Sequence, residues 1–178
     1  MDFIEKYDKF IIEFEECIKN YSKERFVFLC IGTDRATGDC FGPFVGSILK
    51  SKLCGNAKVL GDLDNTISYQ KLKKLKLPNT NVIIAIDAAL SDKKNIGSIF
   101  VSNQGVCFGQ SLNKKQQTIG NVSIRGVVGA NQKDETDNFI LLQNISLNKV
   151  MKMANLVATG IIDVMNKKNQ SGKNIYIR

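Results

Sequence analysis

Apolar positions near the amino terminus recur every three or four residues, as they do along one face of an amphipathic helix. This spacing predicts a helix over residues 2–20. A second stripe of the same kind predicts a long helix over about residues 146–167. The first stripe consists of Phe3, Ile4, Tyr7, Phe10, Ile11, Phe14 and Ile18, and the second of Leu147, Val150, Met151, Ala154, Val157, Ile161 and Val164. Both helices are expected to pack on a core.

Between these helices, uninterrupted apolar runs predict strands that are covered on both faces. The predicted strands lie at residues 26–31, 58–61, 81–86 and 121–128, with one or two more within 96–108. Helices are predicted between them at residues 43–53, where Pro43 suits the first helical position, and at residues 68–77, which are rich in lysine. Residues 109–120, which include Lys114 and Lys115, predict a polar loop.

The alternation of strands and helices predicts a single α/β domain over residues 1–178, with three layers and a mainly parallel sheet. A chain of this length is sufficient for one hydrophobic core. In such sheets, ligands bind in the crevice beyond the carboxyl ends of the strands. The residues that follow the strands are therefore the candidates for chemistry.

Six acidic residues follow the predicted strands, and they are Asp34, Asp39, Asp62, Asp64, Asp87 and Asp92. Aspartate is a common turn former, which is the simpler interpretation of several of them. Asp39 differs because it lies in a glycine-containing loop, where Gly38 and Gly42 are expected to permit unusual backbone angles and close approach. Asp87 differs because it ends an apolar strand, where burial without a partner is costly.

Two carboxylates that lie close together cannot both ionise freely, so they titrate as a coupled pair. The ionised member can take a proton from water as the water attacks a carbonyl group, and the protonated member can hydrogen-bond the carbonyl oxygen. Asp39 and Asp87 are therefore candidates for an aspartic hydrolase. The same oxygens could instead hold Mg²⁺ or another hard divalent cation, which prefers oxygen ligands.

Composition narrows the chemistry further. The chain contains no histidine, which excludes Ser-His-Asp and Cys-His catalysis and histidine-ligated metal sites within it. Its five cysteines form no Cys-x-x-Cys pair, which argues against a disulfide framework and a thiolate zinc site.

The net charge of +8 comes without the interleaved aromatic residues of single-strand binders, so no nucleic-acid partner is expected. No apolar run is long enough to span a membrane, and a cytoplasmic location is expected.

Four stretches carry a resemblance to a known family: GTDRATGDCFGP, IAIDAAL, NVSIRGVV and LLQNISLNKVMKMA. Over about residues 25–165 the chain resembles the YyaC-type sporulation proteins (DUF1256) of spore-forming Firmicutes. That family is similar to the spore germination proteases and, more distantly, to the hydrogenase maturation proteases. The resemblance implies their phosphorylase/hydrolase-like α/β fold. It also implies that Asp39 and Asp87 are the catalytic aspartates. Asp34, Gly38 and Gly42 are further candidates, for substrate binding or electrostatic support of this pair.

The hydrogenase proteases contact nickel through acidic residues at these two positions and a later histidine. Because this chain has no histidine, that set is incomplete, and no metal or other cofactor is expected. The resemblance implies a sporulation-associated peptidase that acts on a protein or peptide, such as the small acid-soluble spore proteins, in the forespore or spore core. A non-catalytic binding protein with the same fold and a carboxylate–metal hydrolase are the alternatives. Homo-oligomers are compatible with each of them.

Overall fold

The computed structural model describes residues 3–21, 25–53, 57–77, 81–108 and 117–173. Its α-helices are α1 (Phe3–Ile18), α2 (Phe41–Lys52), α3 (Tyr69–Leu72), α4 (Glu135–Gln143) and α5 (Leu147–Lys173). Its strands are β1 (Phe26–Cys30), β2 (Ala57–Leu60), β3 (Val82–Ser91), β4 (Ile99–Ser102), β5 (Val106–Phe108), β6 (Gln117–Ile119) and β7 (Val122–Ala130). The two helices predicted from the apolar stripes are present as α1 and α5.

The described strands form a sheet of five strands in the order β2-β1-β3-β7-β4, beside a separate β5–β6 hairpin. The β1–β2, β1–β3 and β3–β7 pairs are parallel, and β4 runs antiparallel to β7 at the edge. All five residues of β1 are buried, which explains why its sequence is apolar without alternation. The mainly parallel α/β fold expected from the sequence is therefore confirmed.

The sheet has a hydrophobic cluster on each face. The larger cluster joins alternate residues of β1, β3 and β7 to α1, α2 and α5, and it contains the stacked rings of Phe10 and Phe14. The smaller cluster joins the other alternate residues of β1 and β3 to α3 and the β5–β6 hairpin. Side chains on this second face are therefore packed under fewer buried residues than side chains on the first face.

Several predicted boundaries are wrong. The helix predicted at residues 68–77 is only Tyr69–Leu72, because Leu75 and Leu77 pack against the smaller cluster from non-helical backbone. Part of the predicted polar loop forms β6, which pairs with β5; the rest of that loop, including Lys114 and Lys115, lies outside the described residues. Helix α4 was not predicted at all.

Strand β3 is longer than predicted, because it continues past Asp87 to Ser91 beside β7, with an irregularity between Ala89 and Leu90. Asp87 therefore lies inside a strand and not at its end. In α5, the predicted core residues Leu147 and Met151 are exposed, whereas the other five residues of that stripe are buried.

Candidate active site

The backbone of the loop after β1 places Asp39 in a short 3-10 helix, Gly38–Cys40, which leads into α2. The amide of Asp39 donates to the carbonyl oxygen of Ala36 (3.0 Å), and its own carbonyl oxygen accepts from the amide of Thr33 (3.3 Å). Gly32 has a φ of 144°, and a Cβ on it would overlap the Asp39 carbonyl oxygen. The loop can therefore fold back on itself only because residue 32 is glycine.

The prediction for Gly38 and Gly42 is confirmed in one part and wrong in the other. Neither has a positive φ, so the expectation of unusual backbone angles is wrong for both. Both instead permit close approach, as also expected: a Cβ on Gly38 would lie 2.6 Å from Cδ2 of Leu142 in α4, and one on Gly42 would overlap the carbonyl oxygen of Ile31. These contacts fix the 3-10 helix against α4 and α2 against the end of β1.

Asp87 lies where β1 separates from β3. The pairing of the two strands ends at Cys30 and Ile86, and the amide of Ile31 still donates to the carbonyl oxygen of Ile86 (2.8 Å). The next amide, that of Gly32, donates instead to the carbonyl oxygen of Ile67 (2.9 Å). Because the chain turns away from β3 here, no strand lies beside Asp87 on the side of β1. The same turn brings the segment after Ile67 towards Asp87.

The carboxylate of Asp87 is buried and hydrogen-bonded, with only 6% of the residue exposed. The hydroxyl of Tyr69 donates to Oδ2, and the backbone amide of Ala88 donates to Oδ1 (2.9 Å). Tyr69 lies two residues after Ile67, and 43% of its surface is exposed. The tyrosine therefore forms part of the wall between the carboxylate and solvent.

The 3-10 helix that carries Asp39 contacts β3, and the two carboxylates interact electrostatically. The pKa of Asp87 is raised to about 7, mainly by burial and also by the charge of Asp39. The hydrogen bonds from Tyr69 and Ala88 and the charge of Arg125 oppose this rise and are included in that value. Burial also raises the pKa of Asp39. Near neutral pH, Asp87 is therefore balanced between its protonated and ionised forms.

Burial is the cause of the raised pKa of Asp39, and no hydrogen bond to its carboxylate contributes to that shift. Burial raises the pKa of Tyr69, and the charge of Asp87 and, to a smaller extent, that of Asp39 add to this rise. The phenol therefore stays protonated at neutral pH and acts as the donor to Asp87.

A cavity of about 270 Å³ opens on the Asp87 side of the sheet. Its lining includes Tyr69, Asp87, Ser102, Cys107, Ser123 and Arg125. Arg125 lies opposite Asp87 in the register of β3 and β7, so the two side chains project from the same face. Asp39 does not line this cavity. Asp87 is presented there between the guanidinium group of Arg125 and the phenol of Tyr69.

Two of the other acidic residues that follow strands, Asp34 and Asp62, lie in surroundings that differ from those of Asp39 and Asp87. Asp34 is exposed, and neither Asp39 nor Asp87 has a pKa shift attributed to its charge. Asp62 is buried and accepts from Lys50 Nζ (2.7 Å) and from the Asn65 amide (2.7 Å), and the Lys50 hydrogen bond is the main cause that lowers its pKa. Of the six, Asp39 and Asp87 are the two whose charges interact.

Tyr69 and Arg125 were not among the predicted site residues. No local pattern marks Tyr69, because its contact with Asp87 depends on the distant bridge between Ile31 and Ile67. Arg125 carries a usable signal, since it is the only charged residue in an otherwise uncharged strand. A lone charge at that place predicts a position that faces a cavity or solvent.

Cys40 is not a nucleophile in this geometry. Its Sγ lies 3.5 Å from the carbonyl oxygens of Thr33 and Ala36, and burial raises its pKa, so it remains a thiol.

Within the described ranges, no group of three or more histidine, cysteine, aspartate or glutamate residues could hold a metal ion. No helix in those ranges is long and apolar enough to cross a bilayer.

Comparison with known proteins identifies the family. The model of the family described as "Protein of unknown function (DUF1256)" matches residues 3–160. The YyaC protein of Bacillus subtilis (strain 168) is 35% identical over 140 residues, which cover 76% of this chain and 67% of that protein. A crystal structure of the [NiFe] hydrogenase maturation protease HycI from Thermococcus kodakarensis KOD1 superposes with a TM-score of 0.58 at 17% identity, over 86% of this chain and 98% of that one. The chain belongs to the DUF1256 family, and the HycI likeness shows a shared fold.

Proposed function

We propose that this member of the DUF1256 family is a peptidase-like hydrolase in which Asp39 and Asp87 activate a water molecule for attack on a peptide bond. The observation that carries the proposal is the Asp87 carboxylate, which is buried, hydrogen-bonded by Tyr69 and raised in pKa to about 7 by burial and by the charge of Asp39. Perturbed pairs of this kind are concentrated at catalytic sites.

The two carboxylates have separate roles in the proposed reaction. Asp39, in its ionised form, takes a proton from water as the water oxygen bonds to the peptide carbon. The electron pair of the carbonyl group moves onto its oxygen, which the protonated Asp87 stabilises by a hydrogen bond. As the carbon–nitrogen bond breaks, the leaving nitrogen takes a proton from the pair, so one peptide and one water yield an acid and an amine.

Tyr69 and Arg125 act on Asp87. The phenol of Tyr69 and the amide of Ala88 each donate to one oxygen of the carboxyl group, which fixes its orientation. The charge of Arg125 and these two hydrogen bonds lower the Asp87 pKa against the effect of burial. In the proposal, these effects keep the pKa of Asp87 near neutral pH, where the carboxyl group can both hold and release a proton.

The proposed substrate is a protein or peptide, and the small acid-soluble spore proteins are the first to test. The sporulation setting, in the cytoplasm of the forespore or in the spore core, rests on the resemblance of the motifs around Asp39 and Asp87 to the YyaC-type proteins.

Asparagine variants test the chemistry because they keep the shape of each side chain. Asp39→Asn and Asp87→Asn should each abolish cleavage of a spore protein extract and leave the far-ultraviolet circular dichroism unchanged. Asp34→Asn is the matched control, since it removes an exposed carboxylate from the same loop, and it should retain turnover. Full turnover in the Asp39→Asn/Asp87→Asn double variant would refute the proposal.

A non-catalytic binding protein is the second candidate, and one observation favours it. The cavity beside Asp87 is not lined by Asp39, so a ligand could occupy it without meeting both carboxylates. This function predicts no turnover by the wild type, saturable binding of a protein from spore extracts, and loss of that binding in Arg125→Ala. Turnover by the wild type that depends on Asp39 would exclude it.

A further inference from the structure

Helix α4 presents an outward face that no described residue covers. No residue of Glu135–Gln143 is buried, and Phe139 and Ile140 are 59% and 51% exposed. The first turn of the helix carries the acidic residues Glu135 and Asp137. Leu147 and Met151, in the first turns of α5, are exposed as well, and neighbouring large apolar side chains on a surface are typical of interaction sites.

A groove of complementary character lies at the same end of the molecule. It has a volume of about 450 Å³ and an apolar floor formed by Ile96, Ile99, Met153 and Leu156. Its rim carries Lys6, Lys149 and Lys152, and no acidic residue is among the described residues that line it. Lys6 donates to the carbonyl oxygen of Gly97 (3.1 Å), which leaves the two lysines of α5 as the outward cations.

The acidic side chains of α4 and the lysines on the groove rim have no ion-pair partner among the described residues. The described ion pairs are Lys9–Glu13, Lys19–Glu16, Lys50–Asp62 and Lys167–Glu15. None of these pairs involves Glu135 or Asp137 of α4, or Lys149 or Lys152 of α5. The acidic helix with its apolar side chains and the apolar groove with its basic rim therefore lie at the same end of the molecule, with these four charges unpaired among the described residues.

We propose that α4 of one copy docks into the lysine-rimmed groove of a second copy, and that the reverse contact forms at the same time. Glu135 and Asp137 would face Lys149 and Lys152, and Phe139 and Ile140 would cover the apolar floor. Only residues 144–146 separate α4 from α5, and Ser146 itself lines the groove. The two surfaces therefore lie close enough for one two-fold axis to relate both contacts, as a closed dimer requires.

Charge complementarity selects a second copy as the occupant. The chain has a net charge of +8, so two copies repel each other unless acidic and basic patches are in register. The α4 helix supplies an acidic and apolar surface of the kind that the groove lacks. A closed pair would also hold α4 in place, and α4 in turn contacts Gly38 through Leu142, next to Asp39.

Charge reversal gives a test that needs no enzymatic activity. Wild-type protein in analytical ultracentrifugation should sediment as a dimer. The groove variant Lys149→Glu/Lys152→Glu and the helix variant Glu135→Lys/Asp137→Lys should each weaken dimerisation by at least about tenfold, because like charges then face each other in both contacts. Circular dichroism reports whether each variant has folded.

Mixing the two variants gives the decisive result. Each contact in the mixed pair joins opposite charges, reversed in one contact and native in the other, so an equimolar mixture should form a one-to-one dimer. Lys73→Glu/Lys74→Glu is the matched control, since it makes the same change of charge on exposed residues elsewhere and should leave the wild-type dimer intact.

Three results would overturn the proposal. They are a wild-type protein that is monomeric at every concentration reached, folded reversed variants that stay dimeric, and folded variants that do not pair when mixed. A groove that instead takes up an acidic peptide from an unrelated protein would appear as the first of these results.

Discussion

Replacing Asp87 by asparagine should stabilise the protein at neutral and alkaline pH while it removes activity. The side chain is buried, and its carboxylate accepts from Tyr69 and from the Ala88 amide. Asparagine preserves the shape, keeps an oxygen for the Ala88 amide, and offers its own amide to the oxygen of Tyr69. What it removes is the cost of holding a charge in a buried site.

The magnitude follows from the pKa. Burial, reinforced by the Asp39 charge, raises the Asp87 pKa from its ordinary 3.8 to about 7 in the folded protein. At about 1.36 kcal/mol for each pKa unit, ionised Asp87 lowers the free energy of unfolding by on the order of 4 kcal/mol. Below the unfolded pKa both states are protonated and the cost is absent. Between the two values only the unfolded state ionises, so stability falls as the pH rises, and above about 7 the loss is complete.

Urea unfolding of the wild type and of Asp87→Asn across this pH range measures the effect. The difference between the two free energies of unfolding should change by on the order of 3 kcal/mol between about pH 4.5 and pH 8, in favour of the variant at high pH. Asp34→Asn controls for the loss of one negative charge, and it should stay within about 0.5 kcal/mol of the wild type.

A difference that does not vary with pH would refute this reasoning, because Asp87 would then titrate alike in the folded and unfolded chain. A variant that loses stability relative to the wild type as the pH rises would refute it more strongly. The surroundings of the native carboxylate would then favour its ionised form.

Three further predictions follow from the same contacts. Tyr69→Phe removes a hydrogen bond that lowers the Asp87 pKa, so the alkaline limb of the pH–rate profile should move to higher pH, and an unmoved limb would contradict this role. Gly38→Ala should cost about 1–3 kcal/mol in urea unfolding, because its Cβ meets Leu142, and adding Leu142→Ala should recover part of that loss. Peptide hydrolysis that uses Asp39 and Asp87 without a metal should be unaffected by EDTA, whereas loss of turnover that Mg²⁺ or Mn²⁺ restores would assign the carboxylates to a cation.

The sequence predicted the sheet and both candidate aspartates, because those features follow from local patterns. An apolar run without alternation marks a strand covered on both faces, as in β1. An aspartate directly after such a run, or inside a glycine-containing loop, stands out against its neighbours. Asp87 and Asp39 were found in this way.

Features that depend on a distant partner could not be predicted. Strand β3 runs past Asp87 because β7 continues beside it, which no pattern within residues 81–91 reveals. Helix α4 has its apolar residues in one consecutive run, Phe139 to Leu142, so it lacks the spacing that marks an amphipathic helix. The contact of Tyr69 with Asp87 depends on the bridge between Ile31 and Ile67, two residues that lie far apart in the sequence.

The electrostatic coupling of the two carboxyl groups is the central claim, and carboxyl-carbon NMR titration tests it most directly. In the wild type, Asp87 should titrate near pH 7, and in Asp39→Asn its pKa should fall because the neighbouring charge is gone. An Asp87 that titrates at the same pH in both proteins would contradict the account.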